Sequence, residues 1–446
     1  MSNRLHQAFC AGARRAVRVA GKTVPSGAHG VRRPFGLLLL TFISIPTLVS
    51  AADWPQYRGP NHDGSSPEKI MKTWPKEGPG AIWKASLGPS FGSFAVSRGR
   101  AFCFIQRKVE GQDREVAVGF DANTGKEIWA TTLGGPTYDQ QGGDGPRSTP
   151  SVDGNRVYFL GAHLGLTCLD ATKGEWLWQH ELTKEYNGRV IEWYSAASPI
   201  LDGDLIFVNA GGRGQALLAF NKFDGKLVWK GQEDKPTHAS PVPATIHDVR
   251  QVIFFTQSGL LSVAAATGAV LWRYPFPFRT STAASPVVWQ DMVYCSVGYG
   301  VGGGACRISK TAKGFEAREI WRDKNVVSHW STPVCRDGYL YGLFGFKEFG
   351  KAPLKCIEMA TGKEKWAQPG FGSGGATILV DNHVLVQGDR GPLVLVEAKS
   401  ESYREVARAQ VLGGKCWTMP VVSDGRIYAR NTKEGVCLDV SPQGEE

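Results

Sequence analysis

The sequence predicts an all-β chain folded as a ring of eight four-stranded antiparallel units. Three observations predict it. One motif recurs at nearly fixed spacing, a second recurs between its copies, and the two series fall out of step at the chain ends.

The first motif reads apolar–Asp–x–x–Thr–Gly–x–x–x–Trp. It stands as "GFDANTGKEIW" at 119–129, "CLDATKGEWLW" at 168–178, "AFNKFDGKLVW" at 219–229, "VAAATGAVLW" at 263–272 and "CIEMATGKEKW" at 356–366. With Trp as the phase marker, Trp83, Trp129, Trp178, Trp229, Trp272, Trp321 and Trp366 follow one another at 46, 49, 51, 43, 49 and 45 residues. A further copy at 400–413 has lost its Trp.

The second motif is clearest in "STPSVDGNRVYFL" (148–160), "ASPILDGDLIFV" (197–208), "STPVCRDGYLYGL" (331–343) and "TMPVVSDGRIYA" (418–429). Each unit thus reads as two strands joined near Asp-Gly, a third ending at Thr-Gly, and a fourth carrying the Trp. Glycine supplies the positive φ that such tight turns demand. Proline at the head of a first strand is harmless where its missing N–H has no partner to lose. Four antiparallel strands in 40–50 residues describe a β-propeller blade. The Trp is then a flat wedge between neighbouring blades, a structural role and not a catalytic one.

The chain opens on a lone fourth strand, "AIWKASLG" (81–88), and closes on three strands without a fourth, 419–440. The opening strand is therefore expected to complete the last blade, which seals the ring and leaves no long free edge.

Bulk composition agrees with a folded chain: 42% apolar and 21% charged residues, with 55 Gly, 25 Pro and 14 Trp among 446 residues. That mixture suits turns and bulky anchors and disfavours long helices. The net charge of +10 has a local origin. Residues 1–36 carry Arg4, Arg14, Arg15, Arg18, Lys22, Arg32 and Arg33 and no acid, and the apolar run "FGLLLLTFISIPTLV" (35–49) and small residues follow. Residues 1–52 read as a secretory signal peptide cleaved near Ala51 or Ala52. Without it 44 basic residues face 41 acidic ones, so charge gives no argument for nucleic-acid binding. "RRPF" (32–35) resembles a twin-arginine export signal weakly, and a start at Val31 would give a more usual length. No Cys follows the cleavage site, against a lipid anchor. Residues 53–80 form an extended arm, and 81–446 the propeller.

Eight Cys remain after cleavage, none as Cys-x-x-Cys. Cys168, Cys356 and Cys437 share a strand position that Cys306 also fits, and small buried core residues are expected there. If an oxidising compartment forms a disulfide, Cys295–Cys306 is the first candidate, on neighbouring strands of one hairpin. "GYGVGGG" (298–304) satisfies Gly-x-Gly-x-x-Gly, but a strand follows it, so it reads as a glycine-rich hairpin and not a phosphate cradle. "GFKEFGKA" (345–352) nearly spells a P-loop, yet Ala352 stands where Ser or Thr is needed. No His-Glu-x-x-His, zinc-type Cys spacing or Gly-x-Ser-x-Gly elbow occurs. His163 and His383 read as surface or satisfied residues.

The Asp-x-x-Thr-Gly-x-x-x-Trp repeat resembles the tryptophan-docking repeat of the PQQ-like (pyrroloquinoline-quinone) propellers. These include quinoprotein alcohol dehydrogenases and the non-catalytic propeller lipoprotein of the outer-membrane β-barrel assembly machinery. The likeness spans about residues 81–440, and "DWPQYRGPNHDG" (53–64) resembles the segment that begins many exported members. For the dehydrogenases the resemblance implies PQQ beneath a vicinal Cys–Cys disulfide, calcium held by Glu, Asn and Asp, and an Asp base. No two Cys are adjacent here. The segments before the first strands, expected at the channel mouth, offer Arg147, Trp193, His238, Arg279, His329, Trp330 and Trp417, with only Asp139, Asp144 and Glu192 as nearby acids. Calcium prefers six or more oxygens, several from carboxylates, and these residues do not assemble them. No metal site is expected.

The expected function is an exported, non-catalytic binding or assembly scaffold in the periplasm or cell envelope, with a protein, small-molecule or glycan ligand at the propeller face; the alternatives are a PQQ-dependent alcohol or sugar dehydrogenase, its mouth arginines pairing with PQQ carboxylates, and a glycan-binding module using Trp193, Trp330 and Trp417 as platforms.

Overall fold

The computed structural model describes residues 52–135 and 145–442. The expected signal peptide therefore lies outside the described residues. Eight four-stranded antiparallel units follow in chain order. Blades 1 to 7 occupy residues 95–134, 151–181, 200–231, 242–275, 287–323, 334–368 and 376–410. Blade 8 is made of three strands within 421–439 and is completed by Ala81–Ser86, with Trp83 paired to Cys437. The ring closes as expected. A single turn, Leu182–Glu185, is the one α-helix among the described residues, and none there is long and apolar enough to cross a membrane.

The repeated motif explains why the blades stay together. In blade 1 the Asp121 carboxylate accepts from the backbone N–H groups of Asn123 and Thr124 and from the Thr124 hydroxyl, fixing the turn after the third strand. Gly125 completes that turn at φ 67°, and a Cβ there would lie 2.6 Å from the Trp83 ring. Gly174 of blade 2 likewise sits at φ 73° under Trp129, 2.5 Å from a would-be Cβ. The glycine is needed both for the turn and for the indole that the preceding blade lays on it.

Each indole N–H then donates to a carbonyl of that next turn: Trp83 to Ala122 (2.9 Å), Trp129 to Ala171 (3.1 Å), Trp178 to Lys222 (3.3 Å), Trp229 to Ala265 (2.8 Å), Trp321 to Met359 (2.7 Å) and Trp366 to Lys399 (2.9 Å). Trp272 departs from the series. Blade 5 replaces the Thr-Gly turn by a long hairpin over 302–323, and Trp272 donates instead to Gln251 of its own blade.

A second set of bonds runs along the channel wall from the head of blade 1 to that of blade 6. The backbone N–H of Ser93 donates to the Thr149 hydroxyl, Thr149 to Ser198, Ser198 to Ser240, Ser240 to Ser285, and Ser285 to Thr332, all at 2.9–3.1 Å. These are the Ser and Thr residues that head the first strands. Buried apolar clusters fill the spaces between adjacent blades, as in the one that joins Phe104 of blade 1 to Phe159 of blade 2.

The arm at 53–80 is fastened along its length. Trp54 exchanges both backbone bonds with Val96, Pro55 accepts from Val152, and Gln56 bonds Leu201 through both side-chain ends. It then crosses the axis. Tyr57 and Arg58 reach Thr332 and Pro333, Ser65–Ser66 pairs in parallel with Leu379–Val380, and the Glu68 carboxylate accepts from Asp424 and Gly425.

The proposed Cys295–Cys306 disulfide is not formed; all eight described Cys are free thiols. Cys295 faces Gly304 and Cys306 faces Val293, so the two thiols are diagonal neighbours. Diagonal pairs sit about 7–8 Å apart, beyond ordinary disulfide reach. Seven of the eight are buried and Cys335 is half-buried, in keeping with core packing.

Candidate functional site

The segments that precede the first strands converge on a cavity of about 390 Å³. Its wall is a hydroxyl belt, its floor is Tyr57 and Arg58 of the arm, and its mouth is aromatic and basic. The arm thus turns a channel into a cup.

Six of the seven residues expected at the mouth line this cup: Arg147, Trp193, His238, His329, Trp330 and Trp417. Arg279 does not. It lies exposed between Phe278, buried in the core beside blade 5, and Ser281, which reaches the cavity, so its side chain is turned outward. Asp139 and Asp144 lie outside the described residues, and Glu192 is exposed and off the lining.

Two loops unrecognised as site elements complete the mouth. Blade 6 sends "GFKEFGKA" over it, a hairpin loop and no P-loop, bringing Phe346, Lys347 and Phe349. Blade 5 sends Tyr299 from its glycine-rich hairpin. Trp330 stacks on Phe346 (5.4 Å), Phe349 (5.3 Å) and Trp417 (5.8 Å), while Phe349 lies nearly flat on Trp417 at 4.7 Å and 12°. The Trp330 and Trp417 faces are therefore turned to neighbouring rings. Three cations ride on the aromatic surface: Arg147 over Phe91, Lys415 over Phe91 and Trp417, and Lys347 over Tyr299 and Phe346.

Trp193 is aimed by a strained turn. Trp193 and Tyr194 both hold left-handed φ, 66° and 61°, a conformation unusual for aromatic residues. The Tyr194 carbonyl is tied down by His238 Nε2–H at 2.8 Å. That bond places the imidazole proton on Nε2, so Nδ1 accepts from the Ser281 hydroxyl at 2.7 Å. Burial pushes the His238 pKa down to about 4. His329 accepts the Gly298 backbone N–H on Nδ1 at 3.1 Å, which leaves its proton on Nε2, and burial pushes its pKa down to about 3. Both rings are neutral at pH 7. Ser281 and His238 have the contact of a nucleophile and its base, but His238 is too weakly basic for that task. The Ser281 oxygen also accepts the His238 backbone N–H at 3.0 Å, so the pair is a strut between blades 4 and 5.

The described lining contains no Asp, Glu or Cys. Among the described residues no three His, Cys, Asp or Glu side chains group to hold a metal.

Comparison with known proteins agrees with the ring. The family profile described as outer membrane protein assembly factor BamB, a PQQ-repeat profile, matches residues 80–192 and 112–368, well over half of the chain. The chain belongs to the PQQ-repeat propeller family. No curated protein matches its sequence. Among solved structures, this PQQ-repeat propeller is similar to BamB from Moraxella catarrhalis, at 15% identity, TM-score 0.57, 82% of this chain and 99% of that one. It is also similar to the quinohemoprotein alcohol dehydrogenase of Comamonas testosteroni, at 12% identity, TM-score 0.59, 88% of this chain and 82% of that one. The computationally designed protein Ika8 matches at 11% identity and TM-score 0.56, over 80% of this chain and 98% of that one. A scaffold, an enzyme and a design share the ring, so the likeness establishes fold alone.

Calcium-bound PQQ can be tested against the cup. The mouth cations suit the carboxylates of a quinone, but calcium needs several carboxylate oxygens and the described lining offers none. The residues described do not fit that pair.

Proposed function

We propose that this PQQ-repeat propeller works by binding: an exported, non-catalytic scaffold of the periplasm or cell envelope that takes its ligand in the cup. The observation that carries the reading is the chemistry of the described lining, which is hydroxyl, aromatic and cationic, without a carboxylate or thiol. Such a surface can recognise and hold, yet it has no base for removing a proton and no ligand set for calcium. The basic, then apolar N-terminus supports export, and the assembly-factor description of the matching family supports an envelope role. The glycan reading is weaker, because Trp330 and Trp417 spend their faces on neighbouring rings.

Calorimetric titration of the purified chain with PQQ, with and without calcium, tests this reading against the dehydrogenase. The expected result is no calcium-dependent binding. Tight one-to-one binding that needs calcium would overturn the proposal and restore a PQQ-dependent alcohol or sugar dehydrogenase.

A further inference from the structure

The arm contributes more than a plug. Arg58 lines the cup floor and is buried, with 2% of its surface exposed. Its guanidinium donates only to carbonyl oxygens: Nε to His62, one terminal nitrogen to Thr332 (3.4 Å), the other to Asp63 (2.7 Å) and Pro333 (3.2 Å). The exposed Asp63 carboxylate bonds the Ser65 backbone N–H and hydroxyl, and reaches the guanidinium through its field without a hydrogen bond to it. Carbonyl dipoles solvate a cation without cancelling its charge, so the floor carries a full positive charge in a low-dielectric setting.

Higher in the cup two more donors stand open. The Ser331 hydroxyl belongs to a lining residue only 3% exposed, and it has no hydrogen-bond partner. His329 keeps its proton on Nε2, and that atom has no partner among the described residues. At the rim Lys347 is exposed, packed over Tyr299 and Phe346, and makes no ion pair among the described residues. Among the described residues of the rim loops, the acids Glu192 and Glu348 are exposed and lie off the lining. A buried cation, a buried hydroxyl without a partner, an open imidazole N–H and a rim lysine, with no carboxylate in the described lining, favour an anion.

We infer that the cup is selective for anions, and that Arg58 of the N-terminal arm and Lys347 of blade 6 set this selectivity for a small organic carboxylate. The inference rests on the binding reading above and names the ligand class. Arg58 acts from the floor through the field of its buried charge, and Lys347 screens entrants at the rim. His329 Nε2–H and the Ser331 hydroxyl supply hydrogen bonds to the carboxylate oxygens once inside. A neutral molecule of the same shape would find the same walls, but would leave the floor charge uncompensated.

The test is an isosteric pair, naphthalene-2-carboxylate and naphthalene-2-carboxamide, each titrated into the purified chain and followed by tryptophan fluorescence and calorimetry. The carboxylate is expected to bind about tenfold tighter than the amide, the advantage of a charge-assisted contact in a dry site. Lys347→Gln, at an exposed position, should weaken the carboxylate several-fold and leave the amide unchanged. Arg58→Gln should erase the preference altogether; if that variant does not fold, Lys347→Gln still decides. Equal binding of the two probes by the native chain would overturn the inference and leave the cup as a binding site. Carboxylate preference untouched by Lys347→Gln would overturn the assignment to these residues. Binding of neither probe would sink the inference and the small-ligand reading together.

Discussion

Trp330, at the head of blade 6, stacks on Trp417, at the head of blade 8, with ring centroids 5.8 Å apart and planes 21° from parallel. Blade 7 lies between them in the chain and gives way, since a Cβ on Gly374 would come 2.4 Å from the Trp417 ring nitrogen. Gly374→Val should therefore push Trp417 off its stack. A stability loss of about 1–3 kcal/mol in urea unfolding is expected, the usual range for overpacking, together with a shifted tryptophan emission. Unaltered emission would show that the stack does not depend on this gap.

The turn glycines make a sharper prediction. Gly174→Ala places a methyl under Trp129 at a φ of 73°. Strain and collision add, so a loss of about 2–4 kcal/mol is expected by denaturant titration. Gly154→Ala, at φ 57° with only the tip of Arg98 within 4 Å of the new methyl, isolates the backbone term, about 1 kcal/mol.

Glu68 ties the arm to the last blade. Its buried carboxylate accepts the backbone N–H groups of Asp424 and Gly425 at 2.7 and 2.9 Å. Glu68→Ala leaves two partly buried backbone donors without this partner and should lower stability by about 1–2 kcal/mol. Hydrogen exchange at Asp424 and Gly425 should quicken; unchanged exchange there would show that the arm is held elsewhere.

Glu115 predicts a loss of stability toward alkaline pH. Burial pushes its carboxyl pKa up to about 7, against the backbone N–H of Ala162 that helps hold the anion. Between the ordinary carboxylate range and pH 7 the folded chain holds a proton that the unfolded chain has released, so folding weakens as pH rises through that window. The effect is on the order of 3 kcal/mol at about 1.4 kcal/mol per pKa unit. Melting temperatures across pH 5–8 should show a downward component that Glu115→Gln removes.

The two histidines act in the opposite direction. With pKa values pushed down to about 4 and about 3, His238 and His329 stay neutral when folded at a pH where the unfolded chain protonates them. Their contribution is complete above about pH 6.5 and is lost as pH falls through about 4 for His238 and about 3 for His329. His329→Gln should flatten the acid limb of the stability profile, and an unaltered limb would place the acid sensitivity in other groups.

The ring was legible because its signals are local and repeated. Asp121, Thr124 and Gly125 encode a turn among themselves, and Trp83 needs only that turn to dock. Arg147, Trp193, His238, His329, Trp330 and Trp417 line one cavity because a fixed offset from each first strand leads to the mouth. Arg279 stands at a similar offset but is exposed and off that lining, since the offset gives the segment and not the direction of each side chain. Arg58 and Tyr57 were missed for another reason: nothing in "DWPQYRGP" says that the arm crosses the axis, which is decided by contacts with blades 3 and 6. Lys347 and Phe349 were read against a phosphate motif when their aromatic and basic content was the signal.

Closing the ring with Ala81–Ser86 also orders events in time. The first blade strand made is the last to find its blade, because its partner at 434–439 comes at the end of the chain. Glu68 and Asp424, joined beside that seam, lie 356 positions apart. Closing so long a loop is slow, and until it happens blade 8 presents a bare edge. A chain threaded across a membrane N-terminus first would hold that strand idle on the far side until translocation is nearly complete. The clasp then reports on completion: truncated products cannot fasten, and remain open to proteolysis.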